Sequence, residues 1–508
     1  MFEKLLMIFI FVAITISIGI YCRKKANSVG DFVLGGREVG PWLTAFAYGT
    51  SYFSAVVFVG YAGQFGWNFG VAAAWIGIGN AIIGSLLAWV VLGRRTRIMT
   101  KHLESATMPE FFSKRFRSKS VKIVASFIIF IFLVPYSASV YKGLSGLFAM
   151  SFGINFNYCI LGIAILTAIY VIAGGYTATA LNDFVQGIIM IGGICAVVYG
   201  VLNGQGGFMG ALEKLSQIPS EAAPGLNGAF VSIFGPDPLG LLGVVILTSL
   251  GTWGLPQMVH KFYTIKNEKA IKTGTVISTV FALIIAGGSY FMGAFGKLYY
   301  NPEGGVISFD DVVPTMLGDA LPDILIGVVL ILVLSASMST LSSLVITSSS
   351  TITLDFIGSF KKNMSQKSQV LMIKVLCGVF VLLSAVIAMN PTNLITTLMS
   401  ISWGALAGSF LGPLLYGLFW KGTTKASVWA SFIVGIGVTV WNFFFPFAEP
   451  TMAGAIAILS SLVVVPLVSF VTPKMDRALV DEMFLCYDET VTVAHKLALE
   501  EEDKTSNI

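Results

Sequence analysis

Long apolar runs alternate with short polar stretches along nearly the whole chain. Thirteen of the runs are long enough, as helices, to cross about 30 Å of hydrocarbon. They fall near residues 3–22, 41–66, 71–93, 121–149, 156–174, 180–203, 237–259, 272–299, 322–353, 369–389, 392–419, 424–446 and 451–472. Every second polar stretch is basic. Arg23, Lys24 and Lys25 come first, then Arg94, Arg95, Arg97, Lys101, Lys114, Arg115, Arg117, Lys119 and Lys122. Lys261, Lys266, Lys269 and Lys272 follow, then Lys361, Lys362 and Lys367, then Lys421 and Lys425. The loops between these are poor in Lys and Arg, and 301–323 is acidic, with Glu303, Asp310, Asp311, Asp319 and Asp323. Basic loops stay in the cytoplasm. The odd count therefore predicts a multi-pass protein of the cell membrane with its N-terminus outside and its C-terminus inside. The first run, Leu5–Tyr21, is flanked by Glu3, Lys4 and Arg23–Lys25 and has no small-residue cleavage site. It reads as a transmembrane helix and not as a signal peptide.

Composition agrees. The 508 residues are 56% hydrophobic and only 11% charged, with a mean hydropathy of +0.84, more apolar surface than a soluble fold of this size can hide. The net charge of +5 adds little. Cys22, Cys159, Cys195, Cys377 and Cys486 show no metal-ligand or redox spacing. Cations are nearly absent from the segment centres: His102, His260 and His495 fall in cytoplasmic stretches, and Lys142 lies near the outer end of its helix. A histidine proton relay or a membrane-embedded enzyme needs clustered ionisable groups at depth, so neither is expected. No cofactor, nucleic acid or obligatory protein partner is called for; the bilayer is the evident one. The tail 473–508 is charged, ends on Glu500–Asp503, and reads as a cytoplasmic helix with a frayed end.

Three polar clusters inside the apolar runs carry the candidate chemistry. Ser335–Ser343 reads SASMSTLSS, and helical spacing puts Ser339, Ser342 and Ser343 on one stripe beside Thr340, with the Ala336 carbonyl one turn earlier. Such a patch of neutral oxygens suits a weakly held monovalent cation; equally, hydroxyls in membrane helices bond back to their own backbone or pack against a neighbour. Gly49, Thr50, Ser51 and Ser54 allow a helix break within Ala45–Gly60, or a close helix contact. Asp183, in the run Leu181–Gln186, is placed either to cap a helix or to serve an ion or a gate.

Taken together, these residues resemble the sodium/solute symporter family, which includes sodium-coupled proline, pantothenate, sialic acid and sugar carriers. The resemblance rests on Asp31–Arg37 (DFVLGGR), Ala173–Tyr176 with Leu181–Gly187, Gly254–Gln257 (GLPQ) with the basic stretch after it, Ala336–Ser343 and Leu418–Lys421 (LFWK), in this order over nearly the whole chain. It implies an all-α, LeuT-like fold of two inverted five-helix repeats, with broken first and sixth core helices. Its divisions are an N-terminal helix and loop at 1–40, a ten-helix transport core at 41–419, two further helices at 420–472 and a tail at 473–508. It implies uptake of a small organic solute, an amino acid such as proline or a carboxylate such as pantothenate, coupled to sodium by alternating access; a solute sensor or channel on the same fold is the alternative. Carried onto this chain, the family's sodium ligands are the carbonyls of Thr50, Phe53 and Ala336 and the hydroxyls of Ser339 and Thr340. Some members bind a second sodium, for which Asp183, Ser339, Ser342 and Ser343 match. The solute positions are Tyr52, Phe53, Val56, Tyr136, Thr248, Thr252 and Trp253. Here the chain departs from the proline carriers, which have an acidic residue at Tyr52 and aromatics at Thr248 and Thr252.

Overall fold

A computed structural model describes residues 2–22, 28–35, 40–300, 308–361, 364–390 and 394–488. The basic triplet Arg23–Lys25, the end of the DFVLGGR motif, Glu303, Lys362, His495 and the acidic end of the tail lie outside them. Among the described residues eleven helical stretches are long and apolar enough to cross a membrane, where the hydrophobic pattern predicted thirteen. The difference has two causes. The segment expected at 41–66 is interrupted, so its first half, Pro41–Tyr52, is short, while its second half runs into the next segment as Val56–His102. The segment expected at 156–174 forms the shorter apolar helix Phe156–Ile172.

Ten core helices follow the N-terminal helix Glu3–Cys22. The first consists of Pro41–Tyr52 and residues 56–69, separated by a break at Phe53, whose backbone is extended, and Ser54. The second spans residues 74–102, and the third to fifth are Lys119–Phe152, Phe156–Ile172 and Gly175–Asn203. The sixth, Pro238–Tyr263, is broken at Gly254 and Leu255, and Pro256 starts its second half at the position where a missing N–H costs nothing. The seventh to tenth are Lys269–Leu298, Asp323–Phe360, Gln366–Ala388 and Ile395–Phe419. Five crossings per repeat start the second repeat on the opposite face, so the two are inverted, and the broken first and sixth helices occupy equivalent places. Lys425–Phe444 and Pro450–Val471 complete the bundle against the tenth helix.

Glycine sets two of the junctions. Gly175 turns the chain between the fourth and fifth helices with φ 57°, and a Cβ there would meet Phe32 at 3.0 Å. Gly66 and Gly293 let the first and seventh helices touch backbone to backbone; a Cβ on Gly66 would lie 2.1 Å from the Gly293 carbonyl carbon. At the basic end of the bundle, arginines close helix C-termini. Arg115 donates to the carbonyls of Gly417 and Trp420 at 2.9 and 3.1 Å, and Arg95 to that of Leu418 at 3.2 Å. Burial pulls the Arg115 guanidinium down to about 10. Within the tail, Arg477–Asp488 is helical and docks here, its Tyr487 hydroxyl donating to the Arg95 carbonyl at 2.8 Å.

Candidate functional site

The break in the first core helix releases carbonyls that no i+4 amide can reach, and buried carbonyls need partners. The eighth helix supplies them. Ser339 Oγ donates to the Thr50 carbonyl at 3.1 Å and to its own Ala336 carbonyl at 2.9 Å. Thr340 Oγ1 lies 3.3 Å from the Phe53 carbonyl, 3.4 Å from that of Ser51 and 3.1 Å from that of Ala336. These hydroxyls thus bond back along their own helix and also reach the broken backbone of a neighbouring one. All five sodium-ligand oxygens named from the resemblance fall in one buried cluster, together with the Ser51 carbonyl, which sequence reasoning did not name. Among the described residues no charged side chain is bonded to these oxygens. Beside it, Phe53, Ser54, Ser289 and Ala336 line a cavity of about 10 Å³, roughly one water in size.

One turn further along the eighth helix the character changes. Ser342 Oγ bonds the Ser339 carbonyl at 2.8 Å, while Ser343 Oγ lies 3.2 Å from that carbonyl and 2.9 Å from Ser51 Oγ. Lys261 Nζ donates to Ser343 Oγ at 3.0 Å and stands 3.8 Å from Asp183 Oδ2. Its ammonium also lies over the Tyr176 ring, 5.0 Å from the centroid. Two expectations are corrected here. Lys261 and His260 belong to no solvated loop; both are buried on the half-helix Pro256–Tyr263. Asp183 caps nothing, because the fifth helix starts at Gly175 and Asp183 lies two turns inside it.

The expected solute residues divide. Tyr52 and Phe53 stack with centroids 4.4 Å apart, and Tyr52 and Tyr136 flank Trp403 of the tenth helix at 6.2 and 5.9 Å. Tyr52 donates to the Thr248 carbonyl at 2.5 Å, joining the two broken helices. Val56 is buried just past the first break. The Thr248 and Thr252 hydroxyls bond the carbonyls of Val244 and Ser249 on their own helix, and Trp253 Nε1 donates to the Ile83 carbonyl of the second helix at 2.9 Å. Those three side chains therefore hold backbone, whereas Tyr52, Phe53, Tyr136 and Trp403 form an aromatic cluster. Trp403 was missed because one aromatic in a uniformly apolar helix carries no signal of which neighbour it meets.

Two broken helices crossing at the middle of a bundle, with freed backbone facing a patch of hydroxyls, define a secondary transporter. The chain belongs to the sodium:solute symporter family, whose family model matches residues 32–435. It is 30% identical over 438 residues to the sodium/proline symporter of Salmonella typhimurium (strain LT2), covering 84% of this chain and 85% of that one. To the osmoregulated proline transporter of Bacillus subtilis (strain 168) it is 29% identical over 434 residues, again covering 84% and 85%. A solved substrate-bound, outward-open state of a Na+-coupled sialic acid symporter matches with a TM-score of 0.76 at 17% identity, over 94% of this chain and 99% of that one. A nucleobase-cation-symport-1 family transporter in a closed conformation matches at 0.53 and 16%, over 90% and 98%. At those identities the two structures speak for the fold alone.

Proposed function

We propose that this chain carries a small zwitterion, with proline the first candidate, into the cell together with sodium bound among the oxygens of Thr50, Phe53, Ala336, Ser339 and Thr340. The observation that carries the reading is the convergence of those five oxygens on the break in the first core helix. Three carbonyls already point inward, and the two hydroxyls need only rotate their protons away to offer lone pairs to a cation. A cluster of neutral oxygens gives a proton no base to bind, so sodium and not H+ is the coupling ion. Sodium bridging the first and eighth helices favours the state in which the solute site is formed, and by linkage the solute tightens sodium by the same factor.

The solute lies against Tyr52, Phe53, Tyr136 and Trp403. That cluster has no side-chain carboxylate or cation of its own, which fits a solute without net charge. A carboxylate on the solute is held by the N–H groups at the broken helix ends, as an anion at any helix N-terminus is. The proline transport named for the two bacterial relatives supports the candidate. Residues 41–419 form the transport core. The face carrying Arg94, Arg95, Arg115 and the helix Arg477–Asp488 is cytoplasmic, and the chain resides in the cell membrane. On the opposite, outer face a recess of about 720 Å³, lined in part by Gln64, Phe65, Trp67 and Lys297, is the entry. The test is uptake of labelled proline into proteoliposomes with an imposed sodium gradient. Uptake should collapse when choline replaces sodium at constant pH; equal uptake in the two salts rules the coupling out.

A further inference from the structure

Lys261 is the one expected loop cation that ends in the middle of the ion-handling region. Its ammonium is buried, as are Asp183 and Ser343 on either side of it. Asp183 Oδ2 is 3.8 Å away, a distance of charge pairing without a hydrogen bond, and neither Asp183 oxygen has a hydrogen-bond partner. Gln186, one turn beyond Asp183, and Gln257, one turn before Lys261, are buried with their amide atoms unbonded. Around the Lys261–Asp183 pair the fifth and sixth helices thus carry buried polar groups whose hydrogen-bonding capacity is not used up. Two kinds of oxygen that would otherwise ligate a metal ion face the Lys261 ammonium, the Asp183 carboxylate and the hydroxyl of Ser343, and Ser343 in turn touches the hydroxyl of Ser51.

We propose that the Lys261 ammonium is a tethered cation standing in the place a second sodium would take, so that this chain binds one sodium per transport cycle. The inference rests on the reading of Thr50, Phe53, Ala336, Ser339 and Thr340 as the coupling-ion site. A free sodium entering beside Asp183 would sit within a few ångströms of the ammonium. At that separation in a protein interior, repulsion between unit charges lowers affinity on the order of a thousandfold. The charge that draws an ion to Asp183 is already matched. What the lysine adds is connection. It sits on the second half of the broken sixth helix and bonds Ser343, which touches both Ser51 of the broken first helix and the Ser339 carbonyl of the coupling-ion turn. An immobile cation thus joins the fifth, sixth, eighth and first helices permanently, where a diffusible one would join them only while bound.

The test needs no solute. Sodium bound per chain is measured on purified full-length protein with radioactive sodium, by a scintillation proximity assay, in choline buffer. The wild type should bind one sodium. Lys261→Met, which frees Asp183 and Ser343, should bind two, and Lys261→Met with Asp183→Asn should return to one. Two sodium ions on the wild type, or no gain in a monodisperse Lys261→Met protein, would overturn the proposal. If Lys261→Met does not fold, Asp183→Asn decides: an unchanged stoichiometry of one supports the tethered cation, and a fall from two to one refutes it. A wild type that binds no sodium rejects the five-oxygen site instead, and the gain of one ion by Lys261→Met still tests the lysine separately.

Discussion

Two successive turns of the eighth core helix handle charge in opposite ways. Ala336–Thr340 offers only carbonyls and hydroxyls, all bonded to one another and to the broken first helix. Ser343, one turn on, adjoins a buried ammonium that is paired with a buried carboxylate. The residue types on the helix are nearly the same in both turns. The difference comes from what faces them: unwound backbone in one case, side chains of the fifth and sixth helices in the other. A neutral oxygen cluster gains a charge when a cation binds and releases it easily, which is what a coupling ion must do once per cycle. A pair already neutral gains nothing from another ion and serves instead to hold helices together.

The contrast is broken most severely by removing one member of the charged pair. Asp183→Ala leaves Lys261 as an uncompensated buried cation, and its stability in detergent should fall by about 3–5 kcal/mol. Replacing both, Asp183→Ala with Lys261→Met, should restore most of that, because a buried ion pair contributes little net stability over apolar side chains of similar size. Thermal unfolding of the two variants side by side checks this; equal losses would show that Asp183 holds the fold by something other than its charge.

On the neutral side the expected effect is smaller and appears in binding. Ser339→Ala or Thr340→Ala deletes one of five oxygens. A bond to a charged partner contributes about 1.5–3 kcal/mol, so the sodium needed for half-maximal uptake should rise about ten- to a hundredfold. The fold should tolerate Ser339→Ala, since the Thr50 carbonyl keeps the Phe53 N–H at 3.3 Å, whereas Thr340→Ala takes the hydroxyl partner from the Phe53 carbonyl and should lower stability as well. A sodium titration of uptake measures the shift, and an unaltered half-saturation would remove the hydroxyl from the ion site.

How far these turns were legible beforehand follows from the range of the interactions that make them. Ser339, Thr340 and Ala336 share a helix face by local spacing, and the small and hydroxylated run Gly49–Ser54 marks a weak helix, so both halves of the neutral cluster stand in the sequence. Their mutual contact came from the family resemblance, because no local rule joins residues 50 and 339. Lys261 was hidden for a plain reason. It lies a few residues before Lys266 and Lys269 and reads as part of a basic loop, and only the position of the half-helix Pro256–Tyr263 puts it at depth. Asp183 was misplaced at a helix start because Gly174, Gly175, Thr177 and Thr179 read as the join between apolar runs ending at 174 and starting at 180, whereas the fifth helix begins at Gly175 and carries those threonines in its first turns. The break at Pro256 came from the resemblance, because 237–259 reads as one apolar run; the structure shows the second half restarting at Pro256, two residues after Gly254.

The aromatic cluster should respond less than the ion ligands. Tyr52→Phe keeps the stacking on Phe53 and removes the hydroxyl that reaches the Thr248 carbonyl. Loss of one buried hydrogen bond contributes about 1 kcal/mol, so the solute concentration for half-maximal uptake should rise about fivefold. Tyr52→Ala removes the stacking as well and should cost considerably more. If the two variants behave alike, the hydroxyl and not the ring is what the solute site uses.

The smallest effect should come from Ser342→Ala, and it separates the two turns most cleanly. Ser342 shares the stripe of Ser339, and spacing alone gives the two the same standing as ion ligands. In the folded chain, however, its hydroxyl bonds the Ser339 carbonyl three residues back at 2.8 Å, a bond made within its own helix. That carbonyl keeps a second donor, Ser343 Oγ at 3.2 Å, so deleting Ser342 Oγ leaves no buried group orphaned. The helix loses a local bond that competes with its own ladder, and alanine is the better helix former. Uptake by Ser342→Ala should therefore show a sodium half-saturation within about twofold of wild type, against the ten- to hundredfold shift of Ser339→Ala. The two variants assayed on one proteoliposome preparation decide it. A Ser342→Ala shift as large as that of Ser339→Ala would mean that a sodium ion is held by both turns, and that the lysine does not fill the second one.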